Sequence, residues 1–172
     1  MTETDADADE PSDRTQPEFT HIENDEAQMV DVTEKDDVRR EATASGKIRL
    51  REETVTAVRD GDVEKGNVLS TARIAGIQAV KRTWDDIPMC HQIPVTGVDT
   101  GFEFEDDGIV ARVEVTSTGK TGVEMEALNG VTRALLTVWD MVKSAEKDDE
   151  GQYPETRIED VRVEEKIKRQ SR

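Results

Sequence analysis

A change of hydrophobic period around Gly119-Lys120 constrains the fold of this chain more than any other feature. From Asp99 to Glu105 and from Ile109 to Thr118, apolar and polar residues alternate, as in strands with one buried face. Asp106-Asp107-Gly108 between them predicts a hairpin turn. From Thr121 to about Glu146 the apolar residues fall instead at Leu128, Val131, Leu135, Val138 and Val142, the stripe of an amphipathic helix. Glu126, Arg133, Thr137 and Asp140 are expected on the opposite, polar side.

The flanking segments extend this pattern. Glu41 to Leu50 carries a weak strand signal, and Glu53 to Arg59 reads as a short helix stopped by Gly61. Asn67 to Asp85 predicts a longer helix, with Asn67 or Ser70 as cap and Pro88 beyond its end. It has two apolar faces: small residues at Val68, Ala72, Ala75 and Ala79, and bulkier ones at Ile77, Val80 and Trp84. One face would meet a sheet, the other a neighbouring helix or a second subunit. Arg157 to Lys166 closes the series as a last strand. The order strand, helix, helix, strand, strand, helix, strand predicts an α+β, ferredoxin-like antiparallel sheet with helices on one face. Residues 1–20 are acidic and almost without large apolar side chains, which predicts a disordered tail; residues 21–172 are expected to form one domain.

The 172-residue chain carries 40 acidic and 23 basic residues, a formal net charge of -17. That argues against nucleic acid as a partner, because phosphate backbones need a broad basic footprint. Ten acids lie between Met1 and Glu26, whereas Lys65 to Val98 holds Lys65, Arg73, Lys81 and Arg82 against only Asp85 and Asp86. A basic segment inside so acidic a chain suggests a small anionic ligand. The dense acid also suits a salt-rich, halophilic cytoplasm, where self-repulsion is screened. Cys90 is the single cysteine, so no intrachain disulfide can form. Neither a secretory leader nor an apolar run near ~20 residues is present, so the expected location is the cytoplasm, with no membrane association.

Three constellations could carry chemistry. Lys120, bracketed by Gly119 and Gly122, is expected at the start of the long helix, where free N–H groups favour an anion. Gly119-Lys120-Thr121 is not a P-loop, because Glu114 stands where that motif needs its first glycine. Asp140 and Lys143 are neighbours on one helical turn: either an ordinary surface ion pair or a carboxylate and amine that tune each other for proton transfer. Cys90-His91 has no companion set with zinc spacing, so no metal site is expected; Mg2+ would enter only with a substrate phosphate. By itself Cys90 reads as a small buried residue, and His91 as a structural histidine or a site residue.

Longer motifs carry a resemblance. Lys65-Gly66-Asn67, Thr71-Ala72-Arg73-Ile74-Ala75-Gly76-Ile77-Gln78-Ala79, Lys81-Arg82-Thr83-Trp84-Asp85, Ile87-Pro88-Met89-Cys90-His91, the run from Thr118 to Leu128, and Trp139-Asp140-Met141-Val142-Lys143 resemble the cyclic pyranopterin monophosphate synthase family of molybdenum cofactor biosynthesis. The resemblance spans about His21 to Lys168. It implies a lyase that converts 3',8-cyclised dihydro-GTP to cyclic pyranopterin monophosphate and pyrophosphate. It also implies a homohexamer of dimers with the active site at the dimer interface. By motif, Asp140 matches the catalytic aspartate, with Lys65 and Lys143 as acid and base. Met89, Cys90, His91, Met125 and Glu126 match substrate contacts, and Asp31, Arg40, Arg73, Lys81 and Glu124 match the rest of the site; Lys120 joins the substrate-binding candidates through its expected place at the helix start. Lys166 matches a lysine that the family's bacterial pattern follows with Ser-Gly-Gly, whereas Ile167-Lys168-Arg169 follows it here. Lysines crowded by other cations would have lowered pKa values. A binding module that does not turn over its nucleotide-derived ligand, and a purely structural oligomer, are the readings from other classes.

Overall fold

The alternation around Asp106-Asp107 builds the frame on which everything else rests. The computed structural model describes residues 22–23 and 26–169, with side chains from residue 28 onward. The expected acidic tail over 1–20, and His21, lie outside the described residues. Strands β1 (Ile22–Glu23) and β2 (Glu26–Ala27) form a small antiparallel pair within the unit Met1–Val30.

The second unit, Asp31–Arg172, holds the remaining elements in chain order. These are β3 (Val38–Arg49), α1 (Glu52–Asp60), α2 (Val68–Lys81), α3 (Thr83–Asp86), β4 (Val95–Glu105), β5 (Gly108–Gly119), α4 (Glu124–Glu146) and β6 (Arg157–Arg169). The sheet order is β4-β5-β3-β6, with every neighbouring pair antiparallel. This is the expected ferredoxin-like α+β arrangement. Glu105 pairs with Gly108, so the hairpin turns on Asp106-Asp107 alone and Gly108 belongs to β5. Ala42, Ala44, Ile48, Ile109, Ala111, Val113 and Val115 are buried on one face of the sheet, in one core with Val131, Leu135, Val138 and Val142 of α4. Burial of such side chains drives this packing, at roughly 25 cal/mol per Å2 of apolar surface.

Glycine sets how closely α2 and α4 approach. A Cβ on Gly130 would sit 2.7 Å from Val80 Cγ2 and 3.1 Å from Val113 Cγ1, and one on Gly76 would sit 3.1 Å from the Gly130 carbonyl oxygen. Gly130→Val is therefore expected to destabilise the protein by about 2 kcal/mol or more through overpacking, read as a fall in melting temperature. An unchanged melting temperature would show that the contact can relax.

Two predicted boundaries move, each because side chains engage the backbone carbonyls there. The helix expected over Asn67–Asp85 ends at Lys81 and restarts as α3. Thr83 Oγ1 donates to the Ala79 and Val80 carbonyls at 3.1 and 3.2 Å, and Asn129 Nδ2 also donates to Ala79 O at 3.0 Å. These side chains occupy carbonyls that a continuing helix would use. The Asn67 cap forms as expected, its side chain accepting from Ser70 N at 2.9 Å. The long helix starts at Glu124 rather than Thr121, because Arg40 Nε and a terminal guanidinium nitrogen donate to the Gly119 and Lys120 carbonyls at 3.1 and 3.2 Å and hold that stretch as connection.

At the other end of α4, Glu146 is fully buried. Its carboxylate accepts from Thr156 Oγ1 at 2.6 Å, ahead of β6, and from Arg51 N at 3.3 Å, at the start of α1. Three segments distant in sequence are fastened at one point.

Candidate active site

Asp140 and Lys143 face solvent from the last third of α4. Lys65 reaches them from the loop before α2, where Gly66 takes a φ of 100°. Lys143 Nζ donates to Asp140 Oδ1 at 2.8 Å, and Lys65 Nζ donates to Oδ2 at 3.3 Å and to the Asp140 backbone carbonyl at 2.6 Å. One carboxylate thus divides its two oxygens between two amines that lie far apart in sequence. The hydrogen bonds from Lys143 and then Lys65, with their charges, hold the Asp140 carboxyl below the ordinary aspartate range. Asp140 in turn raises Lys143. This corrects the expectation of lowered lysine pKa values: the nearest charge to Lys143 is an anion, not another cation.

A second group gathers around the start of α4. Glu126 is only 3% exposed, which corrects its expected place on the polar side. Burial pushes its carboxyl up to about 7, with the Glu124 charge adding to the effect. Cys90 is half-buried; burial raises its thiol, and the charge of Glu126 contributes, so the two are close. Asp31 Oδ1 accepts from Thr33 N at 2.8 Å, and the Thr33 hydrogen bonds lower Asp31, with smaller contributions from His91 and Lys120. Lys120 Nζ donates to Thr33 O at 2.6 Å. Lys120 therefore lies in the connection before α4 and ties it to the 31–33 turn, instead of standing at the helix start.

Glu124 accepts from Lys166 Nζ at 3.0 Å. Burial works to raise the Glu124 carboxyl, but the Lys166 hydrogen bond, its own backbone amide and the Arg40 charge prevail and lower it. Arg40, Glu124 and Lys166 line one open cleft of about 440 Å3. Thr33 is the participant that sequence reading missed; the spacing Asp31-Val32-Thr33, a side chain capturing an amide two residues on, was its available signal.

Met89 is partly buried, and Met125 is 42% exposed. Arg73 lies on α2 with its guanidinium 5.9 Å from the centroid of the Phe102 ring, and Lys81 is exposed in the last turn of α2. While Arg73 and Lys81 lie along α2, most candidate residues thus form a Lys65–Asp140–Lys143 group and a group around Glu126. At about 1.5 Å per residue, these stand roughly 20 Å apart along α4. Among the described residues, no set of three or more His, Cys, Asp or Glu is placed to hold a metal ion, and no helix is long and apolar enough to cross a membrane.

Comparison with known proteins decides the family. The MoaC family profile matches residues 29–168. The chain belongs to the MoaC family. It is 64% identical over 151 residues to a probable cyclic pyranopterin monophosphate synthase of Methanococcoides burtonii, an alignment covering 88% of this chain and 95% of that protein. The Pyrococcus abyssi protein of the same name is 62% identical, over 87% of this chain and 94% of its own. A Methanothermobacter thermautotrophicus protein, named a probable cyclic pyranopterin monophosphate synthase accessory protein, is 62% identical over 85% and 92%.

Proposed function

We propose that this MoaC-family protein is a lyase of molybdenum cofactor biosynthesis. In this reading it converts 3',8-cyclised dihydro-GTP to cyclic pyranopterin monophosphate with release of pyrophosphate. The observation that carries the reading is the Asp140 carboxylate gripping Lys65 and Lys143 at once, in a chain whose relatives bear the synthase name.

The reaction opens and rebuilds a purine ring, then closes a cyclic phosphate as pyrophosphate departs. Both stages need proton donors and acceptors beside a phosphate chain. Lys143, kept protonated by Asp140, is the proton donor in this reading. Asp140 orients both amines, and Lys65 is the second member of the acid–base pair. Glu126, titrating near neutrality, can exchange a proton with the rebuilt ring. Arg73, Lys81 and Lys120 supply cationic contacts to the phosphates, and His91 a hydrogen-bonding one.

The roughly 20 Å between the two groups argues that one pocket draws on two copies of the chain. Ile74 at 59% exposure and Leu136 at 50% leave apolar surface on α2 and α4 that a second copy would cover. A dimer assembling further to a hexamer in the cytoplasm is the assembly we propose.

The test supplies enzymatically prepared cyclised dihydro-GTP and follows the pyranopterin through its oxidised fluorescent derivative, alongside pyrophosphate. Pyrophosphate released no faster than in buffer would leave only a binding module and sink the synthase reading.

A further inference from the structure

We propose that the cleft between the end of α1 and the start of α2 docks a phosphate chain, gripped by Arg59 and Arg73. The cleft is open to solvent and is lined by Gly66, Asn67, Ser70 and Phe104 together with the two arginines. The Arg59 guanidinium lies 5.1 Å from the centroid of the Phe104 ring, and that of Arg73 lies 5.9 Å from the centroid of Phe102. Phe102 and Phe104 are two apart on β4 and share a face, so the guanidiniums are held side by side. A cation–π contact leaves most of a guanidinium's N–H donors available to oxygen acceptors.

Most other arginines among the described residues are claimed by carboxylates, among them Arg49 by Asp107 at 2.6 Å and Glu159 at 3.1 Å, Arg112 by Glu164, and Arg133 by Asp86 at 3.7 Å; Arg40 donates to backbone carbonyls instead. Among the described residues, Arg59 and Arg73 have no ion pair or hydrogen bond, only their rings. With 40 acids against 23 bases in the chain, two adjacent guanidiniums without carboxylate partners are a charge held open for an outside anion. Asp60 is the one carboxylate among the cleft's lining residues, and it leaves the two arginines in excess. Two forks side by side suit an anion with acceptors on successive phosphate groups, the diphosphate class, better than a lone carboxylate.

The location sharpens the assignment, which here rests on the proposed function. Gly66 and Asn67 line the cleft, and Lys65, the residue before them, reaches Asp140. A phosphate chain docked on Arg59 and Arg73 would run toward the amine pair, and its outer portion would be what departs as pyrophosphate. A free polyphosphate offers the same chemistry.

Titration of inorganic pyrophosphate into the full chain by calorimetry, at fixed potassium chloride, tests the site. Arg59→Gln and Arg73→Gln are each expected to weaken binding about tenfold. Arg59→Lys, which keeps the charge but not the fork, should weaken it less, and it carries the test if Arg59→Gln fails to fold. If Arg59→Gln also raises KM with kcat unchanged, and pyrophosphate competes with substrate, the docked group is the substrate's tail. Weakened binding with KM unchanged assigns a free polyphosphate. Undiminished pyrophosphate binding in both Arg59 variants overturns the site, even if turnover is normal and the synthase reading stands. Arg59-dependent binding in a protein that makes no pyranopterin supports the site and fells the synthase reading instead.

Discussion

Asp140→Asn is expected to lower turnover about a thousandfold or more, on the scale of losing a positioned acid–base group. The fold should stay intact. The asparagine keeps the backbone carbonyl that Lys65 contacts at 2.6 Å, but it cannot offer a charged oxygen to each amine. Because the Asp140 side chain is 61% exposed, solvent screens these pairs, and they contribute little to stability. Removing the anion also removes what raises Lys143, so any residual activity should lose its basic limb at a lower pH than the parent. The check is kcat over a pH series, with circular dichroism to confirm the fold. Near-parental kcat in the variant would remove Asp140 from the chemistry.

Glu126→Gln is expected to stabilise the protein above neutral pH while impairing catalysis. The folded carboxyl titrates at about 7, above its ordinary value of 4.5, because it is buried. Between these values the folded state holds a proton that the unfolded state has lost, so stability falls as pH rises through the window. Above the folded value the full cost of a buried carboxylate remains, on the order of 2 kcal/mol after allowance for residual solvation. Glutamine has no such cost. Its stability should exceed the parent's at about pH 8 and converge with it near pH 4. Denaturant midpoints at the two pH values decide the matter, and equal midpoints at the higher pH would contradict a buried, ionising Glu126.

Much of this architecture is legible in the chain. The alternation on both sides of Asp106-Asp107 yields β4 and β5, and the stripe from Val131 to Val142 yields α4, because local period reports directly on which face is covered. Boundaries are less legible where a distant side chain decides them. Arg40 of β3, far away in sequence but paired with Ser117 in the β3–β5 ladder, holds residues 119 and 120 out of the helix, and Asn129 of α4 helps to end α2.

The site shows the same division. Lys143 follows from helical spacing to Asp140, whereas Lys65, a basic residue in a different loop, is joined to that pair only through the family resemblance. Glu126 misleads a helical wheel because burial of the first turn of α4 is decided by tertiary packing that the local period does not report. Arg59 goes unnoticed because stacking over a ring on β4 leaves no mark on its own segment.

Glu146 has a bearing on catalytic precision. With both carboxylate oxygens engaged, by the amide of Arg51 and the hydroxyl of Thr156, the terminal turn of α4 is anchored and should not fray as helix ends ordinarily do. Amide hydrogens around residues 140 to 143 should therefore exchange only when the whole unit unfolds. In the proposed mechanism the carboxylate shared by two lysines would ride on a part of the molecule that does not breathe, which would keep its contacts to both amines aligned from one turnover to the next.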